Sequence, residues 1–139
     1  MSEELIAPHL KPLDGPPPAD IVVGSDTSLL DGYTIKYKYT TGREYKLDFT
    51  AAGVTFTMLD APVFKPEFGV PVTLPYLARE IRDGQILIHW MVPGRSGHVS
   101  PNIDFTEKQI FVAALMPFKM EFFDSATIYS ATRHGKTVI

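Results

Sequence analysis

Ile35-Lys36-Tyr37-Lys38-Tyr39-Thr40-Thr41-Gly42-Arg43-Glu44-Tyr45-Lys46-Leu47-Asp48-Phe49 alternates apolar and polar residues on both sides of a Thr-Gly turn. Successive side chains of a strand point to opposite faces, so residues two apart are neighbours. Ile35, Tyr37 and Tyr39 therefore share one face, and Tyr45, Leu47 and Phe49 continue it on the return strand. Lys36, Lys38, Glu44, Lys46 and Asp48 take the other. This is a hairpin with an aromatic side and a charged side. A tyrosine on the inner face of a sheet is ordinarily core, its hydroxyl bonded to a carbonyl or water. Converging phenols are harder to satisfy in a dry interior, where an unpaired hydroxyl costs about 1–3 kcal/mol. The stretch thus predicts a wet or liganded pocket.

Working outward from the hairpin, the chain reads as short strands separated by turns. Asp31-Gly32 precedes Tyr33 to Tyr39, Ala52-Gly53 leads into Val54 to Leu59, and Asp83-Gly84 joins Tyr76–Ile81 to Gln85–Val92. After Gly94-Arg95-Ser96-Gly97, the runs Val99–Phe105 and Gln109–Met116 form another hairpin, and a final strand spans about Met120 to Ala131. Seven or eight strands, no repeat and no long amphipathic helix predict a meander closed into a barrel. Leu87, His89 and Met91 alternate with the core-facing Ile86, Ile88, Trp90 and Val92. That second face is too apolar for open water, which predicts a subunit contact or a covering arm. Phe122 and Phe123, adjacent on the last strand, are expected to face the core and a covering surface respectively.

Pro8, Pro12, Pro16, Pro17 and Pro18 mark residues 1–28 as an extended arm ahead of a domain over residues 29–139. The prolines from Pro62 to Pro75 predict a loop, an edge crossing or a lid, because proline cannot donate to a ladder. A chain of 139 residues with net charge −3 has no basic stripe, so nucleic acid is not an expected partner. Without cysteine, disulfides and thiolate metal sites are excluded. The acidic start Met1-Ser2-Glu3-Glu4 and the lack of a long apolar run lead to the expectation of a cytoplasmic protein away from membranes.

Tyr37-Lys38-Tyr39-Thr40-Thr41-Gly42-Arg43-Glu44-Tyr45 resembles the opening Tyr-x-Tyr-x-x-Gly-x-Glu-Tyr hairpin of bacterial phenolic acid decarboxylases, and Asp83 to Pro93 resembles their later strand ending in Trp-Thr-Glu-Pro. The MoaF-like proteins share that calycin fold. The resemblance covers about Leu29 to Pro117. It implies an all-β, antiparallel, lipocalin-like up-and-down β-barrel, usually dimeric, whose interior tyrosines hold a small aromatic or carboxylated substrate. Val92 stands where the decarboxylases carry glutamate, and valine moves no proton, so the MoaF-like branch is the one implied.

The resulting expectation is a cofactor-free lyase, isomerase or hydratase acting on a small aromatic or unsaturated metabolite. Tyr37, Tyr39 and His98 would be catalytic, and Tyr45, Trp90, Arg79 and Phe56 would bind substrate. The alternative is a non-catalytic lipocalin-like carrier or sensor of a small hydrophobic ligand. Either way the expected partners are a small molecule and a second copy in a homodimer. No metal is expected, since His9, His89, His98 and His134 lack ligand spacing. Ser96 lacks the setting of a hydrolase nucleophile.

Overall fold

The computed structural model describes residues 21–61 and 69–139. Most of the expected arm, residues 1–20, and residues 62–68 of the expected lid lie outside the described residues. The strands are β1 (Tyr33–Tyr39), β2 (Glu44–Thr50), β3 (Gly53–Asp60), β4 (Val72–Leu74), β5 (Leu77–Arg82), β6 (Gln85–Met91), β7 (His98–Asp104), β8 (Gln109–Met116), β9 (Met120–Arg133) and β10 (Lys136–Thr137). All neighbours pair antiparallel in the order β4-β3-β2-β1-β9-β8-β7-β6-β5, with β10 added to β9.

The hairpin forms as its alternation dictates. Tyr37 stands opposite Tyr45 and Lys38 opposite Glu44, and Gly42 closes the turn at φ 96°, a conformation in which a Cβ would be strained. On its charged side, Lys38 pairs with Glu44 at 3.7 Å and Thr34 donates to Asp48 at 2.6 Å.

The expected closed calycin barrel is not what the strands build. The sheet is an open, strongly curled half-barrel that turns through 249° and leaves its edges 10 Å apart. The edge strands β4 and β5 adjoin in sequence, yet they do not pair. Two local causes are visible. Pro75, between them, has no N–H to give. The groups of Ala78 that point off the β5 edge are already taken, its N–H by Ser25 Oγ at 3.1 Å and its carbonyl by the Asp26 N–H at 2.7 Å. The chain ahead of the sheet thereby caps the edge that closure would need.

The concave side of the curl is filled. Leu30, Ile35, Leu47, Val54, Ile88, Ile103, Ile110 and Ala131 are fully buried, with Phe49, Tyr76, Trp90 and Ile128 among them. Leu30 follows a short 3-10 turn at Thr27–Leu29, and Tyr76 donates to the Thr27 carbonyl at 3.0 Å while its ring meets Phe49 edge-on. The hollow that a ligand would occupy in a lipocalin is thus occupied by the protein's own side chains.

Candidate interaction face

The three phenols converge as the alternation requires, but on each other. Tyr37 and Tyr39 meet edge-on at 5.4 Å between ring centres, Tyr45 stacks on Tyr37 at 6.1 Å, and Phe122 closes against Tyr39 at 5.1 Å. Tyr37 and Tyr39 are both buried, and the Tyr37 hydroxyl hydrogen-bonds to that of Tyr39. Burial first, and then the neighbouring phenols, pushes the Tyr37 pKa well up; burial does the same to Tyr39. Both hydroxyls stay protonated near neutral pH, so neither is available there as a base. Phe56 stacks on Trp90 at 6.0 Å, which places that pair in the same packed interior.

His98 and Arg79 are not brought to the tyrosines. Trp90 pairs with Val99, and both belong to the core, so alternation turns His98 to the convex side. Arg79 is exposed and gives its guanidinium to the carbonyls of Val23 and Gly24. The seven residues singled out in the sequence therefore fall into two groups on opposite sides of one sheet.

The convex side of β6–β9 carries the more unusual surface. Register sets its residues in rows across the four strands. One row reads Leu87, Asn102, Phe111, Ser125. The next reads His89, Ser100, Ala113, Phe123, and the third Met91, His98, Leu115, Glu121. Glu121 is the single formal charge in these rows, whereas the convex side of β1 and β2 carries Lys36, Lys38, Glu44, Lys46 and Asp48. Phe123 is 84% exposed and Phe111 51%, and Leu87 and Leu115 are exposed beside them. Between the two rings lies a groove of about 480 Å³ lined by Ser100, Asn102, Ala113 and Ser125, with Thr40 and Asp124 at its β1 end.

Polar groups on this face are mostly held in place. His89 Nδ1 lies 2.8 Å from Ser100 Oγ, and Gln85 donates to Asn102 Oδ1 at 2.9 Å. The His89 and His98 rings are 5.8 Å apart. Burial, followed by the His98 charge, holds the His89 pKa below its usual value. His98 Nδ1 is buried with no hydrogen-bond partner. Asp124 accepts from Thr40 at 2.5 Å and from Thr41 at 3.0 Å. Burial alone would raise its pKa, but these bonds and the Ser125 N–H outweigh it and hold the carboxyl below the ordinary range. Among the described residues no group of three or more His, Cys, Asp or Glu is placed to hold a metal, and no helix is long and apolar enough to cross a membrane.

Sequence reasoning had the apolar character of this face from Leu87, His89 and Met91, and the outward turn of Phe123. It missed Ser100, Asn102 and Phe111, because these come together only through strand register. The signal available in the sequence was the period-2 placement of Ser100 and Asn102 and of Phe111, Ala113 and Leu115.

No family model and no curated protein matches the chain. A crystal structure named "putative beta-lactamase from Burkholderia vietnamiensis" is similar with a TM-score of 0.62 at 13% identity, over 71% of this chain and 92% of that one. At that identity the likeness is one of fold. Together with the open curl, it corrects the calycin and MoaF-like assignment. The lyase and the lipocalin-like carrier fall with it, because both required a hollow closed barrel and the concave side is packed solid.

Proposed function

We propose that this chain is a protein-interaction module of the cytoplasm that docks through the convex face of β6–β9. One observation carries the reading: two phenylalanine rings, 84% and 51% exposed, stand on neighbouring strands of a sheet face whose three rows hold one formal charge, Glu121, with Asp124 at the β1 end of the groove between the rings. Apolar surface left in water costs about 25 cal/mol per Å² relative to burial. Depletion of charge around exposed aromatic groups is the composition of an interface core. Among the described residues, the concave side of the curl is filled by side chains. A photo-crosslinking amino acid placed at Ala113 in the full chain tests the reading, with Lys46 as the control position on the charged half. An adduct from position 113 and none from position 46 is expected; no adduct from either removes the proposal.

A second reading, an acyl-transferring hydrolase, is favoured by the Ser100–His89 contact and by the name of the similar structure. A neutral His89 would take the Ser100 proton as the hydroxyl attacked a carbonyl. β7 is paired with β8 along its length and with β6 on either side of Ser100 and Pro101; the Asn102 amide, oriented by Gln85, would hold the oxyanion. Turnover of a chromogenic ester or β-lactam that vanishes in Ser100→Ala would establish it. The interaction reading expects no Ser100-dependent turnover.

A further inference from the structure

We infer that the occupant of this face is a second copy of the chain, related by a twofold axis through the β8–β9 pair; the inference rests on the interaction reading. Phe111 stands beside Ser125, and two residues along the same strands Ala113 stands beside Phe123. The rings occupy one diagonal of a square and the small residues the other. A twofold axis lying in the plane of the face, whether along the strands or across them, turns this square onto itself with the diagonals exchanged. Each ring of one copy then falls on a small residue of the other, and no ring meets a ring. A face that is its own complement is what an isologous dimer requires.

Charge and area agree with this occupant. A surface meeting its own copy sets like charges against each other; the four residues of the square have none, Asp124 at the β1 end of the groove is engaged by Thr40 and Thr41, and the lysine-bearing half of the sheet lies beyond. The exposed rings and aliphatic side chains amount to on the order of 500 Å² of apolar surface, which with their small polar neighbours approaches the roughly 800 Å² that each partner buries in a standard interface. The groove between the rings supplies the room for the partner's rings.

Sedimentation of the full chain at micromolar concentration decides the matter. The parent should run as a dimer. Phe123→Arg should run as a monomer with an unchanged far-ultraviolet circular dichroism spectrum, since this side chain is exposed in the single chain, and should melt like the parent diluted below its dimer dissociation constant. Leu59→Arg, an exposed position on β3, should leave the dimer intact. Mixing Phe123→Arg with Ala113→Glu restores a dimer if the axis runs along the strands; mixing it with Ser125→Glu restores one if the axis runs across them. A monomeric parent, a dimeric Phe123→Arg, or no rescue by either partner overturns the inference. The crosslink at position 113 separates the two failures. An adduct of twice the chain mass supports the second copy, and an adduct of another mass overturns it while leaving the interaction reading standing. No adduct removes both.

Discussion

At the scale of single residues, the phenols that make the hairpin conspicuous act in packing. Tyr37 and Tyr39 are buried against each other and against Tyr45 and Phe122, so Tyr37→Phe removes a hydroxyl bonded to Tyr39 and leaves a well-shaped ring behind. Urea unfolding should show a loss of about 0.5–1.5 kcal/mol. His89 carries a pH dependence whose sign follows from its lowered pKa. The unfolded chain binds the imidazole proton more readily than the folded one, so this contribution to stability is complete above pH about 6.5 and is lost as the pH falls below it. Melting temperatures from pH 7.5 down to 5 should decline, and His89→Gln should flatten the decline over that window. Adjacent phenylalanines leave the parity of the last strand ambiguous in the sequence, and the structure turns Phe122 onto the core and Phe123 outward. The Ser100–His89 contact was not legible, because it joins two strands whose register no local pattern states.

At the scale of elements, strand existence followed from alternation and turn residues, and the errors lie where length or regularity fails. β4 has three residues between Pro71 and Pro75, too few for alternation to register, and the segment reads as loop. In β9, Lys36 faces Ser130 while Tyr37 faces Ile128, so Tyr129 is an extra residue that shifts the strand's parity. Gly97 precedes β7, where an added Cβ would run into the Leu115 backbone carbonyl of β8. Since that carbonyl belongs to a paired strand, the clash has little room to relax. Gly97→Ala should cost about 1–3 kcal/mol in chemical denaturation through this clash, whereas Gly94→Ala, whose Cβ would meet nothing, should be strained only by its φ of 72°.

At the scale of the whole molecule, the open curl fixes where stability is uneven. β8 is paired along both edges over most of its length, and β9 passes from β8, over Met120 to Thr127, to β1, over Ala126 to Arg133, whereas β4 is a three-residue edge and β10 a two-residue addition. Amide hydrogen exchange should therefore be slowest in β8 and in β9 from Asp124 to Ala131, and fastest in β4 and β10. By itself the sequence determined the longer strands, the hairpin, and which side of the regularly alternating strands is apolar, because all of these are set by the two-residue period of the backbone. Only the tertiary structure decided that the sheet stays open, that its concave side is filled, and that two rings and two small residues make a square on its convex side. Those outcomes depend on contacts between residues far apart in the chain, such as Ala78 with Ser25 and Asp26, and on a register summed over four strands.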